Sequence, residues 1–174
     1  DFTRFLGEEH GARPDEFYPD ALAIAIDTAT VERISNPKCE LCRELVKIDH
    51  HIDRNPYGDV SWVEEEKPSA CEMTADFYMA FADELKIDSE AATCIYAGMV
   101  TDSGRFRYDS TTSQTFLTAA YLCEQNFDTN DIYRNLYADD FSHIRLKAEF
   151  VLKIKFTENN VAYIYTTLDE AKAT

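Results

Sequence analysis

Leu45-Val46-Lys47-Ile48-Asp49-His50-His51 is a short apolar run that stops at an acid and two histidines. Working outward, Leu22-Ala23-Ile24-Ala25-Ile26-Asp27 repeats the pattern upstream. Each run has the length and composition of a strand, with an acid where the strand should stop. Neither alternates apolar with polar, which is the habit of parallel strands covered by helices on both faces. Open sheets of that kind bind ligands at the carboxyl ends of their strands. Asp27 and Asp49-His50-His51 therefore fall where such a sheet places its chemistry. The fold class is α/β: an open, largely parallel sheet flanked by helices.

The 174 residues suffice for a domain with a real core, and 45% hydrophobic residues favour folding over disorder. No apolar run approaches the ~18 residues of a membrane span, so no membrane partner is expected. Asp1-Phe2-Thr3-Arg4 has no signal-peptide character. Five widely spaced cysteines, Cys39, Cys42, Cys71, Cys94 and Cys123, form an odd set that suits a reducing compartment, and a cytoplasmic location is expected. Cys39-x-x-Cys42 has metal or redox spacing but no second pair, so the two read as small apolar residues of a helical turn. The net charge of −16, from 17 basic and 33 acidic residues, excludes a long nucleic acid as partner. A small phosphorylated substrate is compatible, because carboxylates hold cations and cations hold phosphate.

Further along, 38–44 reads as a short helix and 60–63 as an extended piece, separated by the turn Asn55-Pro56-Tyr57-Gly58. Ser69-x-x-Glu72 opens a helix to about Leu85 as a capping box, and a second helix runs from Ser89 to Thr101. Arg105 to Tyr108 alternates like a strand, and Thr111-x-x-Gln114 caps a helix to Glu124. Helical patterns cover 130–138 and 142–156, and 161–165 is a late strand.

Ile95, Met99 and Asp102 share one helix face, so Asp102 continues an apolar stripe, and Gly104 stops the helix. An acid in such a place pairs or binds metal, or else frays into water. Asp27 has an alternative as a helix N-cap, and the histidines as an exposed turn. On extended backbone adjacent histidines diverge, one able to bind metal while the other faces substrate. Carboxylates with one imidazole suit Mn²⁺ or Mg²⁺ better than Zn²⁺. Phe77, Tyr78 and Phe81 at helical spacing, and the lone Trp62, read as packing. Glu64-Glu65-Glu66 and His143 read as solvated surface, and Arg107 as pointing to solvent. Arg105 divides between solvent and a phosphate.

Lys47 to His51 followed by Asn55, with Ile26-Asp27-Thr28-Ala29 upstream and Tyr96 to Tyr108 downstream, resembles the motifs of the DHH phosphoesterases. Ser69-Ala70-Cys71-Glu72 matches the stretch after the triplet. The resemblance covers about residues 20–150, and Thr101-Asp102-Ser103-Gly104-Arg105-Phe106-Arg107 is most similar to the nanoRNase and 3′-phosphoadenosine 5′-phosphate phosphatase branch, the NrnA-like proteins. It implies hydrolysis of short oligoribonucleotides and of 3′,5′-bisphosphate nucleotides with two Mn²⁺ ions, Mg²⁺ or Co²⁺ being able to substitute. It makes Asp27, His50 and Asp102 metal ligands, with Asp27 bridging. His51 becomes the catalytic group at the phosphate and Asp49 the residue that orients a histidine. Asn55 and Arg105 become substrate contacts. The alternatives are a related hydrolase of pyrophosphate or a cyclic dinucleotide, or a degenerate, non-catalytic domain that binds a nucleotide or protein. A homodimer is compatible with this reading.

The family's first motif, a histidine and two aspartates on a first strand, has no match here; the surroundings of His10 differ. Residues 1–141 are thus expected to be a partial DHH domain, 142–156 a linking helix, and 157–174 the beginning of a substrate-binding domain. The 174 residues alone are expected to be nearly inactive.

Overall fold

A computed structural model of the chain describes residues 4–8, 10–168 and 170. They divide into two compact units, one ending at Tyr133 and one from Arg134 onward.

In the first unit, β1 (Leu22–Ile26), β2 (Glu44–Asp49) and β3 (Val60–Val63) form a parallel sheet with β2 central. The links between strands carry 3-10 turns and loops, not α-helices. Gly58 makes the tight return into β3: its φ is +90°, and a Cβ there would lie 2.9 Å from the Leu45 carbonyl oxygen. The Asp59 amide donates to that same oxygen at 2.7 Å, and the Asp59 carboxylate accepts from the Leu45 amide at 2.8 Å.

Three helices follow: α1 (Ala70–Ala80), α2 (Ser89–Asp102) and α3 (Ser113–Cys123). Each begins at a side-chain cap that satisfies an otherwise unpaired amide. Ser69 accepts from Glu72, Asp88 from Ala91 and Thr112 from Thr115; such caps contribute about 1 kcal/mol each. Helix α1 packs on β2, α2 and α3, and α3 also on α2. Small residues set the α1–α2 approach, since a Cβ on Gly98 would overlap the Cys71 sulfur. Met73, Met99, Val100 and Leu122 are fully buried in this core. A short helix, α4 (Thr129–Leu136), buries Ile132.

In the second unit, α5 (Phe141–Leu152) is capped by the Asp140 carboxylate, which accepts from the His143 amide. A hairpin follows, β4 (Lys155–Phe156) antiparallel to β5 (Ala162–Tyr163). The stretch 142–156, read as wholly helical, therefore ends in a strand.

Several expectations change for local reasons. Among the described residues β1 has a strand on one side only, and Leu22, Ile24 and Ile26 are 49%, 54% and 42% exposed. They line an open cavity of about 410 Å³ with Tyr18, Asn36, Cys39 and Cys42. Arg105 and Phe106 are not strand but a left-handed turn, φ +68° and +59°, because Gly104 has already reversed the chain at φ +57°. Helix α1 stops at Ala80, before Leu85, and Phe77 and Phe81 stack on each other at its exposed side, not in the core. The α3 cap is Thr112, one residue later than the expected Thr111, because Thr115 returns the reciprocal hydrogen bond. Trp62 is half-buried and donates to Glu64, and Glu65 accepts from the Asp53 amide. His143 is exposed, as expected.

Candidate metal centre at the ends of two parallel strands

β1 and β2 are adjacent and parallel, so their carboxyl ends lie side by side. Asp27 follows β1 directly and keeps its place in the ladder, its amide donating to the Ile48 carbonyl at 3.0 Å. It then turns left-handed, φ +59°, a conformation that aspartate tolerates better than most residues. Asp49 is the last residue of β2 and is fully buried. Its Oδ1 accepts from the His50 amide at 2.8 Å, the His51 amide at 3.2 Å and His51 Nδ1 at 2.7 Å. Burial pushes the Asp49 carboxyl up. The hydrogen bonds from the His51 ring and the two backbone amides outweigh it, so the group stays below the usual carboxylate range.

One carboxylate oxygen thus shapes the turn that carries both histidines. The rings stand 4.9 Å apart at 65° instead of diverging as extended backbone predicts, because β2 ends at Asp49. His50 Nδ1 lies 3.0 Å from the Lys67 carbonyl oxygen, which can only accept. Nδ1 therefore carries a proton, and Nε2 is the nitrogen turned to the carboxylates, a ligand once a cation displaces its own proton. That Nε2 sits 2.9 Å from Asp102 Oδ2 and 3.4 Å from Asp27 Oδ1. By the same logic the Asp49 carboxylate holds the proton of His51 on Nδ1 and leaves its Nε2 for chemistry. His51 Nδ1 is 3.7 Å from Asp27 Oδ1.

Asp27, His50 and His51 offer ligand atoms that all lie within 4.8 Å of one another, and Asp102 joins the group through His50. The structure thus brings together Asp27, Asp49, His50, His51 and Asp102. Asn55 lies exposed in the β2–β3 loop and Arg105 exposed in the turn after α2. The hydrogen bonds that its ring donates to Asp102 and Asp27 lift His50 to about 10. The His50 hydrogen bond correspondingly holds Asp27 below the usual carboxylate range, against its partial burial. The position between two carboxylates therefore favours a positive charge. Oxygen donors with imidazole nitrogen fit a divalent cation of the Mn²⁺ or Mg²⁺ kind.

Around this cluster lies a layer of buried charge whose pairing the motifs did not show. Lys67, whose carbonyl fixes His50, is held by Glu72 at 3.2 Å and Asp76 at 2.5 Å, with Thr118 donating to Asp76. Lys47 is fully buried, 2.9 Å from Asp53 and 3.6 Å from Asp49. A lysine inside a strand with no exposed face demands such partners, and that is the signal that could have found it. Cys39 and Cys42 are half-buried free thiols; burial pushes Cys39 up, the opposite of an activated thiolate.

No protein-family model matches the chain. It is 33% identical over 156 residues to a Bacillus subtilis protein named "Bifunctional oligoribonuclease and PAP phosphatase NrnA", covering 89% of this chain and 50% of that protein. A Streptococcus mutans protein, "Probable bifunctional oligoribonuclease and PAP phosphatase NrnA", is 37% identical over 150 residues, covering 86% of this chain and 48% of that one. Among solved structures, an exopolyphosphatase-related protein from Bacteroides fragilis superposes with a TM-score of 0.78 at 26% identity, covering 91% of this chain and 48% of that one. The chain spans about half the length of the curated relatives it matches. In sequence and in fold it is similar to the DHH phosphoesterases, beside their NrnA-like members.

Proposed function

We propose that the protein containing this chain hydrolyses phosphoester bonds in short oligoribonucleotides and in 3′,5′-bisphosphate nucleotides, with Mn²⁺ as its natural ion. The observation that carries this is the convergence of Asp27, His50 and Asp102, with His50 Nε2 between two carboxylates. The names of the relatives supply the substrate class. Asp27, His50 and Asp102 would hold the cation. Cations there acidify a bound water and neutralise the charge of the transition state.

The remaining work belongs to the chain's own side chains. Asp49 keeps the His51 proton on Nδ1 and aims the ring. His51, 42% exposed, meets the scissile phosphate or the leaving oxygen with Nε2. The charge of −16 restricts the substrate to one that engages through its terminal phosphates, since a longer polyanion gains repulsion with each nucleotide. Two- to five-nucleotide RNAs and small bisphosphates are then better substrates than 20-mers.

The test is kcat/KM of the full-length protein on RNAs of increasing length and on a 3′,5′-bisphosphate, with pyrophosphate as comparison. It is run with Mn²⁺, in EDTA and in Asp27→Ala. Activity should vanish in EDTA and fall by several orders of magnitude in Asp27→Ala, since a ligand is lost. His50→Ala should weaken Mn²⁺ binding, whereas His51→Ala should chiefly lower kcat. Turnover that survived EDTA and Asp27→Ala would overturn the assignment, and efficiency rising steadily to 20 nucleotides would overturn the substrate class.

A further inference from the structure

Lys47 is a buried cation with no part in the chemistry above. Its ammonium touches the turn after Asp27, the end of β2 and the loop beyond the histidines. It lies 3.6 Å from Asp49 Oδ2 at the end of β2 and 2.9 Å from Asp53 Oδ1 in the loop beyond the histidines. It reaches the Ala29 carbonyl at 3.4 Å, two residues past Asp27, and sits 4.7 Å from the centre of the Tyr57 ring. Tyr57 in turn donates its hydroxyl to the Thr28 carbonyl at 2.7 Å.

These contacts converge on one problem. Asp27 has left-handed backbone, φ +59°, and a side chain at that position needs its neighbours held. On its amino side the Ile48 carbonyl holds it. On its carboxyl side the next two carbonyls, Thr28 and Ala29, are held by Tyr57 and Lys47. A lysine present only to neutralise Asp49 would sit closer than 3.6 Å to it; this one lies nearer Asp53 and bridges to the Asp27 turn. The division within Asp49 agrees. Oδ1 takes the His50 and His51 amides and the His51 ring, while Oδ2 accepts no hydrogen bond and faces Lys47.

We infer that Lys47 is a positioning residue: with Tyr57 and Asp53 it clamps the Asp27 turn against the His50-His51 turn and so sets the spacing of the metal ligands. This rests on the reading of Asp27 and His50 as ligands.

The test is the Mn²⁺ affinity of the full-length protein, measured by calorimetry on Lys47→Met, Tyr57→Phe and Asp27→Ala, with the folded fraction checked by circular dichroism. A merely structural role for Lys47 would lower the melting temperature without changing the affinity of the folded molecules. Lys47→Met should weaken binding by about 10- to 100-fold, as losses behind a ligand do. Tyr57→Phe, which loses one neutral hydrogen bond and keeps the ring, should weaken it by roughly fivefold. Folded Lys47→Met with a dissociation constant within about twofold of the parent overturns the clamp. If Lys47→Met does not fold, Tyr57→Phe decides by the same criterion. Asp27→Ala separates the two levels. If it loses the ion while the clamp variants keep it, only the clamp is wrong. If it too binds as the parent does, the ligand assignment has failed and the clamp falls with it.

Discussion

Replacing Asp49 by alanine removes a fully buried carboxylate that takes three N–H donors and faces Lys47. Hydrogen bonds to a charged group contribute about 1.5–3 kcal/mol each, so the three would sum to roughly 5–9 kcal/mol if independent. They share one group and are not independent. Breaking a buried ion pair from one side costs about 3–5 kcal/mol, and Asp53 still partners Lys47, so about 4 kcal/mol is expected for Asp49→Ala. Asp49→Asn keeps an acceptor for the two backbone amides but loses the charge, and roughly half that cost is expected. With a urea slope of about 2 kcal/mol/M, the midpoints should fall by about 2 M and about 1 M. The assay is urea unfolding in EDTA followed by Trp62 fluorescence. Trp62 is the single tryptophan and lies opposite Ile48 in the sheet, so it reports on the strand that ends in Asp49. A midpoint change below about 0.5 M for Asp49→Ala, or equal changes for both variants, would refute the reasoning, because the acid would then not be organising the turn.

In metal-free protein the stabilisation from His50 should be fully present below its unfolded value of 6.5 and vanish as pH rises through about 10, since its folded value is raised. Urea midpoints of parent and His50→Gln should therefore differ most near pH 6 and converge above 10; a gap that widens with pH contradicts the ion-pair geometry. Gly98→Ala drives a methyl into the Cys71 sulfur and should destabilise by about 1–3 kcal/mol, a cost relieved in the Cys71→Ala background. A denaturation double-mutant cycle showing additive effects would contradict the close α1–α2 contact. Cys71, pushed up to about 12 by burial first and then by the charges of Asp27 and Asp102, should resist an aromatic disulfide reagent at pH 8 until unfolding, whereas exposed Cys123 should react earlier. Mass spectrometry of the labelled peptides decides the order.

What the sequence determined by itself was which residues gather and where. Strand runs ending in Asp27 and in Asp49-His50-His51 put those residues at the carboxyl ends of parallel strands, because strand period and turn chemistry are local properties. Asp102 was legible from its place after Ile95 and Met99 on one helix face, and Gly104 as the stop. Only the tertiary structure decided the rest. The order of the described strands, with β2 between β1 and β3, is something that a run of apolar residues does not encode. The convergence of the two histidine rings depends on where pairing of β2 ceases and on one oxygen of Asp49. The proton on His50 Nδ1 is placed by a carbonyl 17 residues away, and Lys47 reaches the Ala29 carbonyl 18 residues away. Such contacts are long-range and electrostatic. Their partners are chosen by burial, which desolvates a charge and obliges it to find a counter-charge wherever the fold brings one near.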